Sequence, residues 1–255
     1  MDLLSIALLL FAGVSGGVIS AIAGGASIIT FPILLATGIT PVTAAVTNSV
    51  ALTASNIIAA VTERSQLPPL GRSFVWLVIT SSIATLAGGA LLTLTSERVF
   101  ALLIPALLGF ATLLFAFTER IAAWIRARAT ARGGSDRWTS SIIWMMPVSV
   151  YGGYFGSGIG ILALAVLTIG TGGDYRSANA IKNLLIGINT GAVAVYFLLC
   201  GLVAFPHVLL MTAGAIAGGF LGARVAQRIS NEAARWMVVV IGAGLTIAFA
   251  WRYWF

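Results

Sequence analysis

The sequence predicts an all-α polytopic membrane protein made of two inverted repeats, each a Gly-rich helical hairpin followed by three transmembrane helices. Three observations predict it. First, 59% of the 255 residues are hydrophobic and only 8% charged, at a mean hydropathy of +1.05. A soluble domain is about 25% charged, so this chain lacks the polar side chains to cover a soluble fold. A soluble enzyme, a nucleic-acid-binding module and a disordered chain are thereby excluded. Second, six apolar stretches reach the roughly 20 residues that cross a bilayer. Third, the two halves of the chain resemble each other.

The elements follow in order. Met1-Asp2-Leu3-Leu4 lacks the basic start of a cleaved signal, so residues 3–23 read as a retained span. Plain spans are expected at 41–62, 73–94, 97–118, 178–200, 205–227 and 233–254. Residues 3–38 and 139–171 are longer than one span and too glycine-rich for two ordinary ones. Glycine costs about 1 kcal/mol in a helix interior relative to alanine. Gly24-Gly25 and Gly156, Gly158 and Gly160 therefore mark breaks, and each stretch reads as a hairpin, re-entrant or fully spanning.

Charge placement supports the hairpins. The net charge is +7. Eleven arginines fall in four stretches: Arg64 and Arg72; Arg120, Arg126, Arg128, Arg132 and Arg137; Arg176; and Arg224, Arg228 and Arg235. With hairpins, all four lie on one side, the cytoplasmic one by the positive-inside rule. The tryptophans cluster near span ends, as an aromatic belt requires.

The repeat is visible in Pro41-Val-Thr-Ala-Ala-Val-Thr-Asn48, which aligns with Arg176-Ser-Ala-Asn-Ala-Ile-Lys-Asn183. Asn48 then matches Asn183 and Thr47 matches Lys182. The expected organisation is a first transmembrane repeat at 1–118, a cytoplasmic linker at 119–138 and a second repeat at 139–255. Inverted repeats with broken helices characterise secondary transporters, whose substrate lies near the midplane at the repeat interface.

Lys182 is the strongest single signal, a cation inside an apolar span. Such a charge costs about 2.5–3.5 kcal/mol at a bilayer centre. It either snorkels to the interface or stands in the pathway of an anion. Asn179, Lys182 and Asn183 share one helix face and all carry donors; the alternative is an interhelical polar clamp. Thr47 and Asn48 form the matching patch in the first half, as substrate contacts or as helix–helix hydrogen bonds. Asn48 is expected to pair with Asn183 across the pseudo-symmetry axis. Around Gly25, Ala26 and Ser27, and around Gly158 and Gly160, a helix restarts. Its N-terminus carries about half a positive charge and binds anions, although small residues also serve close helix packing. Asp174 and Arg176, at a hairpin exit, pair or cap there and are gating candidates.

Other chemistry has little support. Glu63, Glu97, Glu119 and Glu232 all lie at span ends or in loops, so a proton relay lacks its usual buried acid. One cysteine, Cys200, and one histidine, His207, exclude a disulfide framework and a Cys- or His-cluster metal site. No cofactor is expected.

With these residues in view, the chain resembles the sulfite exporter TauE/SafE family over nearly its whole length. The resemblance lies in Gly17-x-x-Ser20-x-x-Ala23-Gly24-Gly25-Ala26-Ser27 with Pro32, and more specifically in GGYFGSGIGIL followed by DYRSANAIKN. Tyr175 stands where part of the family has histidine. The resemblance implies export of sulfite, an organosulfonate or another small sulfur or carboxylate anion across the cytoplasmic (inner) membrane. No nucleic acid or enzymatic activity is expected, and a homo-oligomer is left open. An anion channel on the same scaffold is the alternative. Efflux of a monoanion from an inside-negative cell is favoured by about 2.3 kcal/mol per 100 mV, so export needs no coupling ion on this reading.

Overall fold

The computed structural model describes residues 2–22, 25–131, 136–225 and 231–255. Ala23, Gly24, Arg132 and Arg228, named above, lie outside the described residues. The described residues form helices and no strand. In the first half these are α1 (Leu3–Ile22), α2 (Ser27–Ala36), α3 (Pro41–Thr62), α4 (Arg72–Leu94) and α5 (Glu97–Ala116). A further helix, α6 (Thr118–Ala131), occupies most of the stretch expected as a loop or interfacial helix. The second half repeats the order with α7 (Asp136–Tyr154), α8 (Ile159–Gly170), α9 (Tyr175–Leu199), α10 (Phe205–Val225) and α11 (Asn231–Trp254). Its first helix therefore begins three residues before the expected boundary at 139.

Both Gly-rich stretches are helical hairpins with one long and one short arm. The short arms, α2 and α8, have 10 and 12 residues. At 1.5 Å per residue they extend about 15–18 Å, roughly half of a 30 Å hydrocarbon core. Glycine is required at both breaks. Gly25 has φ +88°, and a Cβ there would lie 2.0 Å from Phe115 Cζ. Gly158 precedes α8 at φ +78°, with Leu114 Cδ1 3.3 Å from its missing Cβ.

The starts of the long helices follow from local chemistry. Pro41 opens α3 behind Thr40, its fixed φ suiting the first turn. Ser96 caps α5 by accepting from Val99 N at 3.4 Å. Asp174 caps α9, accepting from Arg176 N at 3.1 Å.

The halves pack through each other. α1 lies along α10 and α4 along α7, while α3 crosses α9 and α5 crosses α11. The register that aligns Asn48 with Asn183 also aligns Gly38 with Gly173, both at positive φ, and Glu97 with Glu232. α1 and α10 meet through glycines one turn apart on each helix. Added Cβ atoms at Gly17 and Gly218 would lie 2.3 Å from Ala215 O and 2.1 Å from Val14 O. Such close backbone approach is how small residues hold membrane helices together.

Among the described residues, five helices are long and apolar enough to cross a membrane: Pro41–Val61, Arg72–Leu94, Glu97–Ala116, Tyr175–Leu199 and Arg235–Trp254. Their outward surfaces carry large apolar side chains such as Leu94, Leu199, Val240, Ile247 and Trp251, all more than two-thirds exposed. A belt of that kind has no place in water; lipid covers it. The chain is a multi-pass membrane protein.

Candidate functional site

α3 and α9 cross antiparallel at the centre. Thr53 Oγ1 donates to Thr190 O at 3.4 Å, and Asn56 Nδ2 to Thr190 Oγ1 at 3.4 Å. Gly187 lets the backbones approach; a Cβ there would stand 3.4 Å from Asn56 O. Beside this crossing lies a cavity of about 480 Å³. Its walls come from both halves: the N-terminal ends of α2 and α8, the facing sides of α3 and α9, Thr85 of α4, and Ile121 and Ala122 of α6.

The cavity runs from exposed Tyr175 at the start of α9 down to buried Asn48 and Phe155. Phe155 closes the deep end. Phe31 stands edge-on to it with ring centres 5.4 Å apart, and Phe100 stands edge-on to Phe31 at 6.3 Å. Among the described residues, the exposed end of the space lies where α9 begins and α3 stops.

Nine of the residues singled out in the sequence line this cavity: Gly25, Ala26, Ser27, Asn48, Gly158, Gly160, Asn179, Lys182 and Asn183. Three do not. Thr47 is fully buried elsewhere, its Oγ1 accepting from Ala204 N at 3.1 Å. Asp174 and Arg176 are exposed beside the mouth, where Asp174 caps α9. The carboxylate of Asp174 is held below its ordinary range by the Ser177 hydroxyl first and by the Ser177 and Arg176 backbone N–H groups.

Asn48 and Asn183 do not pair, contrary to the expectation from the repeat. The antiparallel crossing carries them to opposite ends of the cavity. Asn48 Oδ1 accepts from Thr30 Oγ1 at 2.6 Å, which ties α3 to α2. Among the described residues no hydrogen bond engages Asn48 Nδ2. Asn183 Nδ2 instead donates to Glu63 Oε2 at 2.8 Å, and Asn179 Nδ2 donates to the same oxygen at 2.7 Å. Lys182 Nζ donates to Asn179 Oδ1 at 2.7 Å. Lys182 is thus half-buried inside a network and faces the cavity.

Sequence reasoning missed two parts of this wall. Glu63 caps the C-terminal end of α3, where its span-end position looked solvated; only its partners on α9 reveal it. Asn189 and Thr85 look like ordinary polar residues in apolar spans. Asn189 Oδ1 accepts from Ser82 Oγ at 2.9 Å and Ser81 Oγ at 3.3 Å. Asn189 Nδ2 and Thr85 Oγ1 are buried without a partner. The spacing of Ser81, Ser82 and Thr85 on one helix face was the available signal. Among the described residues no cluster of His, Cys, Asp and Glu could hold a metal ion.

The sequence model of the sulfite exporter TauE/SafE family matches residues 9–249. The chain belongs to the TauE/SafE family. A probable membrane transporter protein of Haemophilus influenzae is 29% identical over 96% of this chain and 94% of its own length. The probable membrane transporter protein YfcA of Escherichia coli K12 is 25% identical over 94% of this chain and 87% of its own. No solved structure matches.

Proposed function

We propose that the chain exports a small sulfur-containing anion, sulfite or an organosulfonate, across the cytoplasmic membrane by alternating access. The substrate binds in the cavity between the halves. The observation that carries this reading is the composition of that wall. The N-termini of two half-length helices, α2 and α8, face one space together with Asn48, Lys182 and Asn183. Helix N-termini in broken membrane helices favour anionic groups. The volume suits a small ligand.

The two repeats are 1–118 and 139–255, inverted in the membrane, with the basic stretch 119–138 on the cytoplasmic side. α9 begins beside Arg176 and α3 ends beside Arg64, so the open end faces the cytoplasm on this topology. Substrate then enters from the side that export requires. Access from one end, with Phe155 closing the other, is the geometry of one state of an alternating cycle.

The test is binding and flux with purified protein. Sulfite, sulfate, thiosulfate, taurine and sulfoacetate are compared by thermal shift and calorimetry on wild type, Lys182→Ala and Asn183→Ala. Efflux of the best ligand is then followed in proteoliposomes. A sulfur anion that binds wild type and is lost in both variants supports the reading. Binding that survives both changes moves the site to the hairpin ends alone. Absence of any anion binding rejects it.

A further inference from the structure

Asn179 and Asn183 lie one turn apart on α9, and both side-chain amides converge on a single oxygen, Glu63 Oε2, at 2.7 and 2.8 Å. Lys182 joins the set through Asn179 Oδ1 at 2.7 Å. Two amide donors on one oxygen, with an ammonium one hydrogen bond away, resemble the donor set of an oxyanion site. Here an oxyanion already occupies it, and it belongs to the protein. Glu63, Asn179, Lys182 and Asn183 all line the same cavity, and among the described residues its charged wall groups are Glu63 and Lys182.

We propose that Glu63 is a built-in competitor for the anion site, so that substrate binds by displacing its carboxylate from Asn179 and Asn183 while Glu63 takes up one proton. The inference rests on the anion reading above and adds the coupling ion to it. A second negative charge brought beside the Glu63 carboxylate disfavours ionisation of both. The step balances simply. A hydronium ion in solvent gives up its proton, its O–H bond breaking to leave water as an O–H bond forms on Glu63; no covalent bond in the protein breaks, and the anion keeps its charge. A monoanion then travels with one proton and moves no net charge, in contrast to the uncoupled export expected from the sequence.

Among the described residues, the titratable groups around Glu63 do not supply an alternative acid. α9 presents Lys182 and Tyr175, with Asp174 and Arg176 exposed at its start, and the turn after α3 presents Arg64. α6 begins with Glu119 and Arg120, and Glu119 is paired with Arg235 of α11 at 2.6 Å. α2 carries none. Among the described side chains of α5 and α10, Glu97 and His207 lie at the opposite end of α3, beside Val42 and near the Thr47 contact.

The experiment measures proton uptake when sulfate and ethanesulfonate, which do not titrate near neutrality, bind the purified protein in weak buffer between pH 5 and 8. Calorimetry in buffers of different ionisation enthalpy gives the same quantity. Wild type is expected to take up close to one proton per anion and to bind more tightly as pH falls. Glu63→Gln is expected to bind about tenfold more tightly at pH 7.5, with no uptake and a flat pH profile. Lys182→Arg, whose charge is permanent, is expected to keep the uptake. Uptake that survives in Glu63→Gln and vanishes in Lys182→Arg assigns the proton to the lysine and overturns the proposal. Wild-type binding without uptake overturns it even if Glu63→Gln does not fold. Both results leave the anion reading intact, whereas no binding in any protein rejects both.

Discussion

Glu97 and Glu232 hold matching places at the starts of α5 and α11, yet only Glu97 grips the other helix. Its carboxylate accepts from Val42 N at 2.8 Å and from Thr40 Oγ1 at 2.5 Å, fastening α5 to the first turn of α3. Glu232 is 70% exposed and lies 3.9 Å from Arg235 of its own helix. α9 is capped by Asp174 instead. The fastened end is the closed end of the cavity and the unfastened end is its mouth. If the halves exchange conformations during transport, Glu232 takes up the Glu97 contact at the start of α9, around Ser177. A Ser177→Cys/Glu232→Cys pair in a Cys200→Ser background is therefore expected to cross-link during turnover. Oxidation should stop efflux and reductant should restore it. A pair that never cross-links while anion is being transported counts against the exchange.

Helix contacts between the halves depend on missing side chains. Added Cβ atoms at Gly88 and Gly153 would lie 2.0 Å from Val150 O and 1.9 Å from Thr85 O, where backbone cannot yield. Gly88→Ala and Gly153→Ala are each expected to cost about 1–3 kcal/mol or more by overpacking. That is a loss of about 2–12 °C in Tm. Gly244→Ala meets nothing within 4 Å and gains helix propensity, so its melting temperature should hold or rise slightly. Melting of the three variants in one detergent checks the contrast.

Local signals made the architecture legible. Long apolar runs marked the spans, and Gly25 and Gly158 marked the breaks. Nine candidate residues fall on one cavity because α3 and α9 pass each other beside the two hairpin ends. What the sequence hid depends on partners far apart in the chain. Glu63 reads as a solvated span end until Asn179 and Asn183 converge on it. Thr47 reads as a site residue because it neighbours Asn48, yet a helix turns adjacent residues to different sides, and it meets Ala204. The Asn48–Asn183 pairing failed because alignment says which residues correspond, not where an antiparallel crossing puts them.

Asn189 ought to matter for transport more than for folding. Its Oδ1 is fixed by Ser81 and Ser82, which leaves Nδ2 without a partner at the cavity wall. Buried polar groups normally have partners, and a ligand or water in the cavity supplies one. A hydrogen bond to a charged ligand is worth about 1.5–3 kcal/mol. Asn189→Leu is accordingly expected to lower anion affinity by roughly 10- to 100-fold. The helical circular dichroism signal should be retained. Unchanged affinity would make Asn189 a structural tie between α4 and α9 only.

Asp174 offers a pH test of helix capping at the cavity mouth. Its carboxylate is held below the ordinary value of 3.8 by the Ser177 hydroxyl first, then by backbone N–H groups at the start of α9. A depressed folded-state pKa means stabilisation that is fully present above the unfolded value and lost as pH falls through the folded one. Asp174→Ala should thus melt below wild type at pH 6, and the gap should close as pH drops below about 4. Asn also caps well and carries no charge. Asp174→Asn should therefore keep part of the stability and show no such pH dependence. Because the group is fully solvent-exposed, the effect should also shrink in high salt. A wild-type to alanine gap that persists unchanged at pH 3 would mean that Asp174 acts by shape at this position, not by charge.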